Sequence, residues 1–235
     1  MSMSKMFKTV TRTWNPITGC RHDCSYCWFL DMVRGRLKGT KKYINGAEPT
    51  FHPSELKKKF KPGEFVFVTD MGDIFSDGID PDQIESVLKH IATFPGTDFL
   101  LQTKNPVRFN TLLASGIEIP ANCYLGTTIE SDKHYFGNWH SQAPSTFIRY
   151  MAMTLIPTNH RRFLSIEPIV DFNLEDMVGW IRRIKPQIIE IGADNHNKKL
   201  PEPSWEKVEK LISSCRSLCP DVKLKDGLDR LKNVS

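Results

Sequence analysis

The chain has 235 residues, a formal net charge of +5 and 40% hydrophobic residues, which is enough for a substantial core. The mean hydropathy is −0.36, and no segment approaches the roughly 20 apolar residues that a membrane span needs. The six cysteines are too few and too unevenly spaced for a secreted disulfide scaffold, so a cytoplasmic protein that does not bind membranes is predicted.

Short β-rich apolar runs alternate with amphipathic stretches along the chain. The runs predicted as strands cover residues 9–14, 65–69, 99–102, 124–129, 162–166, 188–192 and 222–225. Several of them are apolar throughout, as expected for parallel strands with helices on both faces. Between them, Asp80, Asn173 and Ser204 each precede apolar residues at helical spacing, which predicts helices beginning after these three positions.

Alternating strands and helices predict βα units joined by right-handed crossovers. Six or seven such units are fewer than the eight of a closed barrel. The predicted fold is therefore an α/β domain spanning residues 1–235, arranged as a partial, open TIM-like barrel.

Charge is concentrated in residues 34–61, where nine Lys or Arg face only Glu48 and Glu55, giving +7 in a chain of net +5. A basic insertion of this kind attracts polyanions such as nucleic acid. A solvated, lysine-rich surface accounts for the same composition.

Polar residues follow most of the predicted strands. In a parallel α/β sheet the carboxyl ends of the strands meet at one edge, where active sites form. Strand ends are also polar simply because loops meet water. The acidic and basic residues concerned are Asp70, Asp73, Lys104, Glu130, Asp132, Glu167 and Asp194.

Cys20, Cys24 and Cys27 lie in the loop directly after the first predicted strand. Three thiolates in a compact loop can hold an iron–sulfur cluster, with one iron left without a protein ligand. A zinc ion bound by the same cysteines and either His22 or His52 is the main alternative. Three buried, metal-free thiols are a weaker one, because the residues between the cysteines are polar.

The spacing C-x3-C-x2-C, with Tyr26 just before the last cysteine, resembles the signature of radical S-adenosylmethionine (SAM) enzymes. More closely, the chain resembles a phage-associated group of uncharacterised radical-SAM proteins found near three-Cys-motif partner proteins. The matching segments are residues 13–20, 70–75, 101–106, 125–130 and 163–168.

This resemblance implies a [4Fe–4S] cluster on Cys20, Cys24 and Cys27 that binds the amino and carboxylate groups of SAM at its open iron. One electron, from a flavodoxin- or ferredoxin-type donor, then cleaves SAM to methionine and a 5′-deoxyadenosyl radical, which abstracts hydrogen from a substrate. A three-Cys-motif protein is the implied partner.

The resemblance also implies roles for residues at the strand ends. The stretch from Asp70 to Asp73 would contact the SAM amino group, and Lys104 would contact its carboxylate. The other implied cofactor-binding residues are Tyr26, Met71 and Gly72, then Thr127, Thr128 and Glu130 near the ribose, Ser165 and Glu167 for ribose or substrate, and Gly192 beneath the adenine. Helix capping or surface ion pairing is the alternative for each acidic residue.

Cys123, Cys215 and Cys219 lack a dense ligand motif, so we interpret them as packing residues rather than as a second cluster or a thiol hydrogen donor. Trp139 and His140 lie in a loop that is either a substrate lid or ordinary surface. Two functions remain open: a radical SAM enzyme acting on an unidentified substrate, with a nucleotide or nucleic acid suggested by residues 34–61, and a zinc-stabilised nucleic-acid-binding module without catalysis.

Overall fold

The computed structural model describes residues 7–133 and 140–233. The strands are β1 Arg12–Trp14, β2 Ile17–Thr18, β3 Thr50–Phe51, β4 Phe65–Val68, β5 Asp98–Thr103, β6 Cys123–Thr128, β7 Arg161–Ile166, β8 Ile188–Ile191 and β9 Asp221–Leu224. The helices are α1 Trp28–Arg34, α2 Pro81–Ala92, α3 Val107–Ala114, α4 Thr146–Thr154, α5 Leu174–Ile184 and α6 Trp205–Leu218. Within these ranges, no helix has both the length and the apolar character needed to cross a bilayer.

Seven strands form one parallel sheet in the order β1-β4-β5-β6-β7-β8-β9. Each of the last six strands pairs with the strand before it in this order, and β1 and β9 do not pair with each other. The sheet is thus an open half-barrel, which confirms the predicted partial barrel. The short strands β2 and β3 pair antiparallel outside this sheet, with Ile17 opposite Phe51.

The two faces of the sheet are covered differently. Val68, Leu101 and Leu125 face the main core, in which α2 to α6 pack on the convex side. On the concave side, Phe67 and Phe163 contact the ring of Phe7 at centroid distances of 5.2 and 5.1 Å. The expectation of helices on both faces is wrong in this respect, because the N-terminal segment covers part of the concave face instead.

The predicted elements are all present. The ends of each predicted strand lie within three residues of the ends of an observed strand, and helices begin after Asp80, Asn173 and Ser204. The Asn173 side chain accepts hydrogen bonds from the backbone N–H groups of Glu175 and Asp176, and so caps α5. The sequence did not predict α1, α3 or α4, nor the two-residue strands β2 and β3.

Candidate functional site

The loop that carries the three cysteines is fixed to the next strand by a close backbone contact. Gly19 donates its N–H to the carbonyl of Met71 at 3.0 Å, and its own carbonyl accepts from the N–H of Asp73 at 3.2 Å. A Cβ atom on Gly72 would lie 2.4 Å from the Gly19 oxygen. The close backbone approach at Gly72 is therefore made by the cysteine loop itself.

Replacement of Gly72 by alanine is expected to lower the free energy of unfolding by about 1–3 kcal/mol, because the new methyl group meets backbone that cannot move aside. The matched control is Gly179→Ala on α5, where a Cβ atom would meet nothing within 4 Å and a small stabilisation is expected. Urea unfolding of both variants provides the measurement. Equal stabilities of the two variants would contradict the contact.

Asp73 joins the cysteine loop to the end of β5. Its Oδ2 pairs with His22 Nε2 at 2.9 Å and accepts from the Thr103 hydroxyl and the Lys104 N–H, both at 2.9 Å. Its Oδ1 accepts from the N–H of Phe75. Burial raises the pKa of Asp73, but these hydrogen bonds and the nearby His22 outweigh burial and lower it overall. Both carboxylate oxygens thus have partners within the protein.

Cys24 is the most enclosed of the three loop cysteines, with 6% of its surface exposed. Its sulfur lies 3.1 Å from the Ser141 hydroxyl and 3.8 Å from Lys104 Nζ. The His140 carbonyl accepts from the N–H of Ser25, so residues 140–141 lie against the cysteine loop. Trp139, the other residue predicted as a lid, lies outside the described residues.

The thiols of Cys20 and Cys27 sit where a free thiolate is unfavourable. Burial raises the pKa of both, and the charge of Asp73 raises that of Cys20 further. All six cysteines are free. Because metals bind the thiolate, metal binding at this loop would release protons and supply the positive charge that the sulfurs need.

One of the three loop cysteines belongs to a compact group of possible metal ligands. Among the described residues, the group of three or more metal-ligating side chains with ligand atoms within 4.8 Å of one another is Cys20, His22 and Asp73. A tetrahedral zinc with Zn–S bonds of about 2.3 Å would bring its sulfurs within about 4 Å of each other, and Cys24 and Cys27 are outside this group. Thiolates on different irons of a cluster lie farther apart.

The two histidines considered as zinc ligands have other partners. His22 Nε2 is paired with Asp73, and His52 Nε2 is hydrogen-bonded to the Thr18 hydroxyl at 2.8 Å. His22 also belongs to the compact group with Cys20, so a Cys3His site that used its Nε2 would have to break the pair with Asp73. With that pair kept, the loop offers three thiols, the donor set of a cluster with one open iron.

Four charged or polar side chains, Tyr26, Lys104, Glu130 and Arg149, form a buried quartet beside Cys24. Lys104 Nζ lies 2.6 Å from the Tyr26 hydroxyl and 3.3 Å from Glu130, and the Tyr26 hydroxyl donates to the same carboxylate. Arg149 donates to Glu130 at 2.8 Å and to the Thr128 carbonyl at 2.7 Å. The structure thus brings together three predicted residues, Tyr26, Lys104 and Glu130.

The two threonines predicted near the ribose lie on opposite faces of β6. Thr127 follows the alternation of Leu125 and Ile129, which belong to the helix-covered core, and its hydroxyl donates to the Thr103 carbonyl. Thr128 lies on the concave face, where its hydroxyl accepts from Gln102. Of the pair, Thr128 alone is placed towards the concave face.

Residues at the carboxyl ends of β7 and β8 form a second polar group. Glu167 is paired with Lys225, which follows β9. A Cβ atom on Gly192 would lie 2.5 Å from the Glu167 carboxylate, so this side chain occupies the space above the glycine. Ser165 is two residues before Glu167 on the concave side and is buried.

Asp70 and Met71 contact the segments on either side of the cysteine loop. Asp70 Oδ1 accepts from the Asn15 amide, and burial raises the pKa of this carboxyl group. The Met71 side chain packs against Phe29, Leu30 and Val33 of the helix that follows the loop. Their observed contacts are thus structural, and the SAM contacts inferred from resemblance stay predictions.

The other three cysteines lie far from the cysteine loop. Cys123 and Cys219 are at the amino edge of the sheet, and Cys215 is in the core near that edge. Cys123 is the first residue of β6, and Cys219 precedes β9, where its thiol contacts the Asp221 carbonyl. Cys215 is fully buried on α6, and burial raises the pKa of its thiol to about 12. This placement favours packing for all three.

The sequence model of a family described as a protein of unknown function, DUF5131, matches residues 5–217. The chain belongs to this family. No curated protein sequence matches the chain.

The fold of this DUF5131 protein is similar to that of several structures of spore photoproduct lyase. One, complexed with dinucleoside spore photoproduct, has a TM-score of 0.59 at 10% identity, over 88% of this chain and 74% of that chain. A variant of the lyase has a TM-score of 0.59 at 11% identity, over 95% and 79% of the two chains. A further variant, with bound AdoMet and dinucleoside spore photoproduct, has a TM-score of 0.53 at 9% identity, over 92% and 64%.

Sequence reasoning missed two charged residues of the DUF5131 site. Arg149 lies between Ile148 and Tyr150 in an apolar stretch, and an arginine in such a stretch was the available signal for a buried ion pair. Lys225 ends the weakest of the predicted strands. Its partner Glu167 was predicted, but nothing local in the sequence links the two positions.

Proposed function

We propose that this DUF5131 protein is a radical SAM enzyme that uses a [4Fe–4S] cluster on Cys20, Cys24 and Cys27. The observation that carries the proposal is the position of three free thiols in the loop after β1, at the carboxyl edge of an open parallel half-barrel. The fold resemblance to spore photoproduct lyase, a radical SAM enzyme, supports it.

When bound, the cluster and SAM supply a 5′-deoxyadenosyl radical that abstracts hydrogen. The protein's own residues hold the loop in place and control its surroundings. The Gly19–Gly72 contact and the His22–Asp73 pair fix the loop to the sheet. Residues 140–142 shield it from one side, and the concave face offers Thr128, Ser165 and Glu167 as candidates for SAM or substrate contacts.

We further propose a nucleotide or nucleic acid as the substrate. Two of the similar lyase structures hold a dinucleoside spore photoproduct. The basic segment 34–61 begins at the end of α1, next to the cysteine loop, where Arg34 lies 3.8 Å from Asp23. Phosphate groups of a substrate would meet this charge at the rim of the site.

The basic segment reaches both edges of the sheet. Arg36, Lys38 and Lys41 are exposed and follow α1 at the site edge, and we call them the rim group. Later in the segment, the Lys59 carbonyl accepts from Arg12 and the Lys61 carbonyl from Thr97, which places this part at the amino ends of β1 and β5. Lys57, Lys59 and Lys61, the far group, are exposed at that edge.

Replacement of the rim group by alanine is expected to weaken binding of a single-stranded oligonucleotide and to lower the slope of log K against log salt by about 2, since each lost phosphate contact removes roughly 0.7–0.9. The far-group triple variant removes the same charge from the other edge, and we expect it to change binding little. Fluorescence anisotropy at several salt concentrations measures both. Equal losses in the two variants would show that the attraction is general and not directed to the site.

The proposed reductive cleavage of SAM requires a protein that donates electrons. A low-potential one-electron donor of the flavodoxin or ferredoxin type would supply the electron, and a reducing cytoplasm would suit both the donor and the free thiols. The three-Cys-motif partner stays a proposal that rests on the sequence resemblance alone.

The proposed reaction is tested by anaerobic incubation of the iron-loaded protein with SAM and dithionite. We expect 5′-deoxyadenosine and methionine in the products by mass spectrometry. Intact SAM after full reduction of the loaded protein would contradict the proposal. Supplying DNA and RNA oligonucleotides to the same mixture tests the substrate class, through faster formation of 5′-deoxyadenosine.

A further inference from the structure

The buried quartet beside Cys24 carries more positive than negative charge. Lys104 and Arg149 are cations, Glu130 is the single carboxylate, and Tyr26 is neutral. Glu130 is fully buried and Arg149 is 3% exposed. Lys104 is the least buried of the three charged groups, with 18% of its side chain exposed. The quartet thus carries one net positive charge that a neighbouring anion would offset.

The Cys24 sulfur lies where that anion would act. It is 3.8 Å from Lys104 Nζ, which places the ammonium directly beside a sulfur that would ligate the proposed cluster. Lysine is a cation at neutral pH, and the contacts of Nζ with Glu130 at 3.3 Å and with the Tyr26 hydroxyl at 2.6 Å are those that an ammonium makes.

The position of the ammonium is set by its neighbours. An ammonium has three N–H donors, and within the described residues Lys104 Nζ contacts the Tyr26 hydroxyl, Glu130 and the Cys24 sulfur. Its Nζ also lies over the Tyr26 ring at 4.1 Å from the centroid. Contact with a SAM carboxylate, the role inferred from resemblance, would require one of these interactions to break.

We propose that Lys104 sets the reduction potential of the iron–sulfur cluster by holding its positive charge against the Cys24 ligand. A nearby cation stabilises the more negative, reduced state of a cluster relative to the oxidised state and so raises the potential. Glu130 acts in the opposite sense, because its negative charge offsets the ammonium. The electron itself comes from the low-potential donor. This inference rests on the proposed function, since it requires the cluster.

The test is a redox titration of the reconstituted protein without SAM, followed by electron paramagnetic resonance. We expect Lys104→Met to move the midpoint potential to more negative values and Lys104→Arg to leave it near that of the wild type. We expect Glu130→Gln, which keeps the shape and the hydrogen-bonding oxygen, to move it to more positive values. Lys89→Met, which removes an exposed charge on α2, is the control and should change nothing.

Opposite shifts in the methionine and glutamine variants distinguish charge from general damage, because damage does not depend on the sign of the charge removed. Unchanged potentials, or shifts in the same direction, would overturn the inference while leaving the proposed function intact. If Lys104→Met does not fold, the direction of the Glu130→Gln shift still decides. Wild-type protein that takes up no iron would overturn the proposed function instead.

Discussion

Cys24→Ala protein is expected to retain less than about a tenth of the wild-type iron and to form no 5′-deoxyadenosine above background. Cys24 is the central thiol of the loop, is 6% exposed and touches both Ser141 and Lys104. Alanine removes one of the three sulfurs, and even changes outside the ligand shell cost roughly 10–100-fold in metal affinity. Iron analysis and product mass spectrometry measure the two effects.

Cys123→Ala is the matched control for this experiment. It also removes a buried thiol from the molecule, but from the amino end of β6, where we assign it to packing. We expect it to keep the iron and the activity and to lose about 1–3 kcal/mol of stability. Full iron content in Cys24→Ala, or loss of iron in Cys123→Ala, would show that the cluster ligands are assigned to the wrong cysteines.

Arg149→Met is expected to lower the free energy of unfolding by about 2–4 kcal/mol, because two backbone carbonyls and Glu130 lose a donor while Lys104 and Tyr26 remain with the carboxylate. Arg149 NH1 lies 2.8 Å from Glu130 and 2.7 Å from the Thr128 carbonyl, and its Nε donates to the Pro144 carbonyl. Methionine keeps the apolar stem but none of these bonds. Urea unfolding of the metal-free protein gives the change directly.

The Arg149→Met/Glu130→Gln double variant tests the coupling between the two residues. The neutral amide needs no cation but leaves Lys104 without its carboxylate, so the two changes in unfolding free energy should not add. Arg182→Met on the exposed face of α5 serves as the control, with an expected change below about 0.5 kcal/mol. A change of similar size in Arg149→Met and Arg182→Met would mean that the buried pair contributes nothing to stability.

The same pair predicts a pH dependence. Burial raises the pKa of Glu130, but the charges of Arg149 and Lys104 outweigh burial and hold this pKa below its usual value. The carboxylate therefore contributes stability that is present at neutral pH and is lost as the pH falls from its ordinary pKa through the lower folded value. In Arg149→Met this acid-side loss should become smaller.

The central strands were predictable because they are short apolar runs with clear boundaries. The helices α2, α5 and α6 were predictable because apolar residues recur at helical spacing after a cap or a proline. Helix α4 lacks that contrast, since Phe147, Ile148 and Met151 are exposed and blur the pattern. Strands β2 and β3 have two residues each, too few for any periodicity.

The candidate site was predictable where the chemistry is local in sequence. The spacing of Cys20, Cys24 and Cys27 identified the loop, whereas Gly72 was assigned to SAM binding from the resemblance. Its observed contact with Gly19 depends on how the loop folds back and has no local signal. Arg149 is 19 residues from Glu130 and belongs to a helix that the sequence did not reveal, so their pairing required the tertiary structure.

The metal content of the wild-type protein, purified without oxygen and without added metal, tests the assignment of these thiols most directly. About four irons and four sulfides per chain, with little zinc, are expected for a cluster held by three cysteines. About one zinc per chain, with neither iron nor sulfide, would contradict it and support a structural metal site in its place.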